Sequence, residues 1–128
     1  MKVAVPAEVK NNEYRVAITP AGVHELVTHG HEVLVQAGAG DGSSIPDSAY
    51  VDAGASITGD AASTWSQAEL ILKVKEPIRA EYGYFRDDLV LFTYLHLAAE
   101  PELTDALLKS GITAIAYETV QRANRALP

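Results

Sequence analysis

Six short β-type runs recur along the chain with helical patterns or loops between them, and this alternation constrains the fold more than any other feature. The runs are Lys2 to Val5, Glu32 to Gln36, Ala55 to Thr58, Leu70 to Val74, Leu89 to Tyr94 and Ile112 to Tyr117. Between them, Pro20 to His29 places Val23, Leu26 and Val27 on one helical face. Thr19 is the N-cap of that helix, Pro20 sits at its first position and Gly30 closes it. Asp47 is expected to cap a short helix ending at Gly54, and Asp60 to start another through about Gln67. Ile78 to Tyr84 reads as a brief helix, and Pro101 to Ser110 as a longer one stopped by Gly111. Strands alternating with helices specify an α/β fold: a mostly parallel twisted sheet with helices on both faces, a Rossmann-like or flavodoxin-like three-layer arrangement.

Right-handed crossovers then bring the strand C-termini to one edge of the sheet. The segments following the strands are Pro6 to Arg15, the glycine-rich Ala37 to Ser44, Lys75, Tyr94 to His96, and Tyr117 to Glu118. All are expected at one rim. With 128 residues, 48% of them hydrophobic, the chain is long enough for one domain with a real core. A net charge of −7 argues against a nucleic-acid partner. Cysteine is absent, which removes disulfides, thiolate metal sites and thiol nucleophiles, and suits a reducing cytoplasm. No apolar run approaches the ~20 residues that span a bilayer, so no membrane partner is expected.

Within Asn11 to Pro20, N-N-E-Y-R-V-A-I-T-P, Arg15 stands just upstream of a helix start. Its planar donor fork matches a carboxylate, and the plainer alternative is an ion pair with Glu13. Gly38-Ala39-Gly40-Asp41-Gly42 invites comparison with a dinucleotide fingerprint, but Ser43 stands where the third glycine of G-x-G-x-x-G belongs. Pro46 and Asp47 follow, so no long helix begins inside the motif, and a tight polar loop is the better reading. In Lys73-Val74-Lys75-Glu76-Pro77, strand periodicity puts both lysines on one side. Lys75 is either a solvated strand end or a ligand group. Tyr94 and His96 share strand parity and are expected to point into one cleft. His96 suits proton transfer near neutral pH, against the alternative of a satisfied core histidine. His24, His29 and His31 read as structural, with no metal signature in the spacing of the last two. Two cations, a hydroxyl and a titratable base at one rim suit a small carboxylic acid whose chemistry needs proton transfer.

Those motifs carry a resemblance. N-N-E-Y-R-V-A-I-T-P, Q-A-G-A-G (Gln36 to Gly40), L-K-V-K-E-P (Leu72 to Pro77), F-T-Y-L-H-L-A (Phe92 to Ala98) and A-Y-E-T-V (Ala116 to Val120) resemble the N-terminal part of the alanine dehydrogenase family. The resemblance covers essentially the whole chain. It implies an NAD-dependent oxidoreductase interconverting L-alanine with pyruvate and ammonia. It also implies that Arg15 and Lys75 hold the substrate carboxylate and carbonyl oxygen, that Tyr94 lines the pocket and that His96 is the acid/base group. Glu13 and Glu118 are supporting residues in this reading. The related first domain of proton-translocating transhydrogenase shares the R-V-A-x-T-P start but lacks the K-E-P and Y-L-H patterns, so His96 favours the dehydrogenase.

The same resemblance implies that residues 1–128 are a substrate-binding domain, itself incomplete, of a longer two-domain enzyme. NAD would then be bound by a domain outside this chain, with no cofactor-binding or metal-binding residue within it. Alone, the 128 residues are expected to be inactive. The family implies a cytoplasmic homo-oligomer, hexameric by resemblance. The competing expectation is a transhydrogenase-related domain or a stand-alone, non-catalytic module that binds small carboxylates.

Overall fold

A computed structural model of the chain describes residues 1–127. Its centre is a six-stranded sheet in the order β3-β2-β1-β4-β5-β6, with every neighbouring pair parallel. The strands are β1 (Lys2–Val5), β2 (Glu32–Gln36), β3 (Ser56–Thr58), β4 (Leu70–Leu72), β5 (Val90–Thr93) and β6 (Thr113–Ala116). The helices are α1 (Pro20–Thr28), α2 (Asp47–Asp52), α3 (Ala61–Gln67) and α4 (Pro101–Ser110). Of the two doubly wound strand orders, this is the Rossmann one.

Pleating divides the core between the two faces of the sheet. On one face Val5, Val33 and Val35 pack with Val23 of α1 and Tyr50 of α2. On the other, Ala4, Leu34, Ile71 and Leu91 pack with Trp65 of α3 and with Leu103 and Leu107 of α4. The chain winds outward from β1 to β3, then returns to β4 and winds the other way. Adjacent β1 and β4 therefore send their following loops to opposite sides, which opens a crevice beyond their C-terminal ends.

Local chemistry sets most helix boundaries. Thr19 accepts the Gly22 N–H at 3.3 Å at the head of α1, and Asp60 accepts the Ser63 N–H at 2.7 Å at the head of α3. Gly111 ends α4 with φ of 70°, a left-handed conformation that costs glycine little. Two expectations are corrected and a third is refined. Asp47 does not cap α2; Pro46 takes that place, and the Asp47 carboxylate instead accepts the Gly38 N–H at 3.0 Å, pinning the glycine loop. The brief helix expected from Ile78 to Tyr84 is present as a 3-10 turn over Arg79–Tyr84. Finally, β4 stops at Leu72 rather than Val74, because the Val74 N–H is taken by the Glu8 carboxylate at 2.6 Å.

Candidate functional site

The loops after β1 and β4 meet over the crevice, and the end of β5 joins them. Together they enclose an open cleft of about 500 Å³, lined among others by Arg15, Ser43, Lys73, Tyr94 and Tyr117. Arg15 rides on the β1–α1 loop with its side chain 64% exposed. Its Nε donates to Glu13 Oε1 at 2.8 Å and its Nη2 to Glu13 Oε2 at 2.7 Å, while its backbone N–H also reaches Oε1 at 2.9 Å. The ion pair with Glu13, the plainer of the two readings, is therefore present. One edge of the fork is fixed by Glu13, and the Nη1/Nη2 end remains free for a second carboxylate. The side-chain hydrogen bonds from Arg15 outweigh the cost of burial and hold Glu13 well below its ordinary 4.5, at about 2, with the Lys75 charge contributing least.

The glycine loop supports Arg15 from behind. A Cβ on Gly42 would stand 2.6 Å from the Tyr14 carbonyl oxygen, and Ser43 Oγ donates to that same oxygen at 3.0 Å. A Cβ on Gly40 would collide with the Ile45 carbonyl oxygen. These glycines are needed for close packing of the chain against itself. That use, together with a following helix of only six residues carrying Asp47 in its first turn, does not fit a dinucleotide.

The K-V-K-E-P turn departs from strand periodicity because it lies beyond β4. Lys73 is 1% exposed, with Nζ 3.3 Å from Glu8 Oε2 and 3.0 Å from Glu81 Oε1. Glu8 also accepts the Val74 and Lys75 backbone N–H groups at 2.6 and 3.3 Å, and Glu81 accepts that of Ile78 at 3.0 Å. The buried lysine thus ties the β1 loop to the turn after β4 and to the 3-10 turn beyond it. Lys75 is half-buried on that turn, and Lys73 and Val74, rather than Lys75, line the cleft.

Tyr94 and His96 are neighbours, with ring centroids 6.0 Å apart and planes inclined at 25°. Shared parity is not the cause, since β5 ends at Thr93 and His96 is left-handed at φ 51°. Glu118 holds that backbone: its carboxylate accepts the His96 N–H at 2.8 Å and the Leu95 N–H at 3.0 Å. Burial pushes Glu118 up, but the backbone N–H groups of His96, of Glu118 itself and of Leu95 outweigh it and leave the carboxyl below its usual range. The His96 ring is about half exposed, and its Nδ1 lies 3.2 Å from Glu76 Oε2. Glu76 is buried and paired through Oε1 with Lys10. Tyr94 faces the main cleft, whereas His96 lines an adjoining cavity of about 390 Å³ with Glu118. Tyr117, edge-on to Tyr94 at 5.1 Å, is pushed up by burial and then by the nearby Glu8 charge, so its phenol stays protonated.

Glu8, Lys73, Glu76, Glu81 and Tyr117 were not singled out from sequence. The one available signal was Lys73 ending an otherwise apolar run, where burial would demand carboxylate partners. Among the described residues, no group of three or more His, Cys, Asp or Glu could hold a metal ion.

Comparison with known proteins bears on the family and the fold. Residues 4–128 match the family model described as alanine dehydrogenase/PNT, N-terminal domain. An alanine dehydrogenase of Mycobacterium tuberculosis is 62% identical over 128 residues, covering 100% of this chain and 34% of that protein. A solved L-alanine dehydrogenase superposes with a TM-score of 0.96 at 50% identity, covering 100% of this chain and 35% of the other. A transhydrogenase from Sinorhizobium meliloti superposes with a TM-score of 0.88 at 35% identity, covering 98% and 36%. The chain spans about a third of the length of the curated relatives it matches. By the extent of these matches, the chain belongs to the alanine dehydrogenase/PNT N-terminal domain family.

Proposed function

We propose that residues 1–128 are the substrate-binding domain of a longer, NAD-dependent L-alanine dehydrogenase that reversibly converts L-alanine and water to pyruvate and ammonium. One observation carries this reading: a half-engaged guanidinium, Arg15, lies with Tyr94 on the cleft beyond the β1–β4 switch point, and His96 stands beside Tyr94. The free end of the Arg15 fork takes the substrate carboxylate and orients the adjoining carbon. Such positioning contributes several kcal/mol of barrier lowering in well-aligned sites, with an upper range of about 7–11 kcal/mol. Lys75, on the turn fixed by Glu8, stabilises negative charge on the carbonyl or carbinolamine oxygen. His96 gives a proton to that oxygen when water leaves, and takes one back in the reverse direction.

NAD supplies the hydride chemistry, and it is held by residues outside this chain, since the glycine loop is committed to internal packing. The full-length enzyme is a cytoplasmic homo-oligomer in this reading. No helix among the described residues is long and apolar enough to cross a membrane.

Steady-state kinetics of Arg15→Ala and Lys75→Ala in the full-length enzyme test the assignment. Each should weaken pyruvate use by about 2–5 kcal/mol in kcat/KM, the usual cost of removing one partner of a desolvated charge pair, with NADH affinity near normal. Unchanged pyruvate kinetics in either variant would remove that residue from the site.

A further inference from the structure

Both the backbone and the ring of His96 are gripped by carboxylates from distant segments. Glu118 fixes the backbone, as described above. The ring contact has a chemical consequence of its own. Glu76 is 4% exposed, so little water competes for its oxygens. Its Oε1 is engaged by the Lys10 ammonium, and its Oε2 faces His96 Nδ1 at 3.2 Å. An ionised carboxylate only accepts hydrogen bonds. A ring nitrogen against it must therefore carry a proton.

We propose that Glu76 is a positioning residue that holds the neutral His96 ring as its Nδ1–H tautomer, leaving Nε2 as the single nitrogen that exchanges protons with substrate. The geometry is the histidine–carboxylate half of a catalytic triad, in which the carboxylate selects tautomer and orientation without itself taking the proton. Because Nδ1 keeps its proton in both the neutral and the charged ring, His96 cycles only through Nε2. The role of this hold in turnover rests on the proton-transfer reading given for His96; the tautomer itself does not.

Lys10 makes the assignment testable with an isosteric change. In Glu76→Gln the amide must present its carbonyl oxygen to the Lys10 ammonium, which has only donors. Its NH2 then faces His96 Nδ1, which becomes an acceptor, and the ring proton moves to Nε2. In Lys10→Met/Glu76→Gln that constraint is gone, the amide turns its carbonyl toward Nδ1, and the original tautomer returns.

Magic-angle-spinning ¹⁵N spectra of histidine-labelled full-length protein read the tautomer directly, with the His96 signals assigned by difference from His96→Gln. The expected result is an Nδ1–H ring in the native protein, an Nε2–H ring in Glu76→Gln and recovery in the double variant. Over the same series kcat should fall by roughly 10²- to 10⁴-fold and then partly recover, with the KM for NADH unchanged. A packing role for Glu76 predicts neither the inversion nor its reversal by a second substitution. A ring that stays Nδ1–H in Glu76→Gln overturns the proposal. An inverted ring with native turnover supports the Glu76 hold and removes His96 from the proton-transfer step instead.

Discussion

Two cation–carboxylate assemblies stand on the same rim, and burial gives them opposite characters. Arg15 with Glu13 is a two-residue clasp within one loop, and its arginine is mostly in solvent. Lys73 with Glu8 and Glu81 joins three segments, and its lysine is sealed from water. The Glu13 carboxylate is buried, but the guanidinium on it is open to water, so the free end of its fork can take a ligand at small cost. A buried cation is different: taking it out of water is costly, and its partners cannot be left behind alone. The clasp is suited to binding. The buried cluster fixes the loops on which binding depends.

Breaking the buried cluster should therefore have the largest effect. Lys73→Met leaves Glu8 and Glu81 facing each other without a cation, and should cost about 3–5 kcal/mol of unfolding free energy. Arg15→Ala, the matched change in the clasp, removes the guanidinium that holds Glu13 ionised but opens that carboxylate to solvent, so it should lower the denaturant midpoint measurably and by less than Lys73→Met. Equal losses in the two variants would end the distinction between them.

A smaller effect is expected where the glycine loop braces the clasp. Gly42→Ala places a methyl group within 2.6 Å of the Tyr14 carbonyl oxygen, so backbone must move on one side or the other. Overpacking of this sort costs about 1–3 kcal/mol. Because Arg15 follows Tyr14 directly, the KM for pyruvate should rise more than kcat falls. A variant with native stability and native KM would show that the loop does not brace the arginine.

The smallest effect concerns Glu13 and depends on pH. Its folded pKa, about 2, lies below the ordinary 4.5, so the group stabilises the folded state above pH 4.5 and loses that contribution as pH falls toward 2. Glu13→Gln should accordingly be less stable than native at neutral pH, with the difference closing between pH 4.5 and 2 in denaturant titrations. A gap that is independent of pH would assign the Glu13 contribution to packing rather than to charge.

What the sequence determined by itself was local. Alternating apolar periods specified strands and helices, and Thr19, Pro20, Asp60 and Gly111 marked helix ends, because capping depends on residues a few positions apart. Arg15 and His96 drew attention as polar groups beside apolar runs, and Glu13 was legible as a partner two residues from Arg15. The tertiary structure alone decided the strand order, which places the loops after β1 and β4 across one crevice. It also decided that Lys73 is buried, since its partners Glu8 and Glu81 reach it from other segments. Periodicity did not foresee that Lys73 is buried or that His96 lines a different cavity from Tyr94, because it governs a chain only within a strand, and beyond the strand ends carboxylates from far along the chain fix the backbone. Glu8 takes the Val74 N–H from 66 residues away, and Glu118 takes the His96 N–H from 22 residues away. A hydrogen bond needs its partners close in space and not in sequence, so these contacts exist only once the sheet has brought its strand ends together.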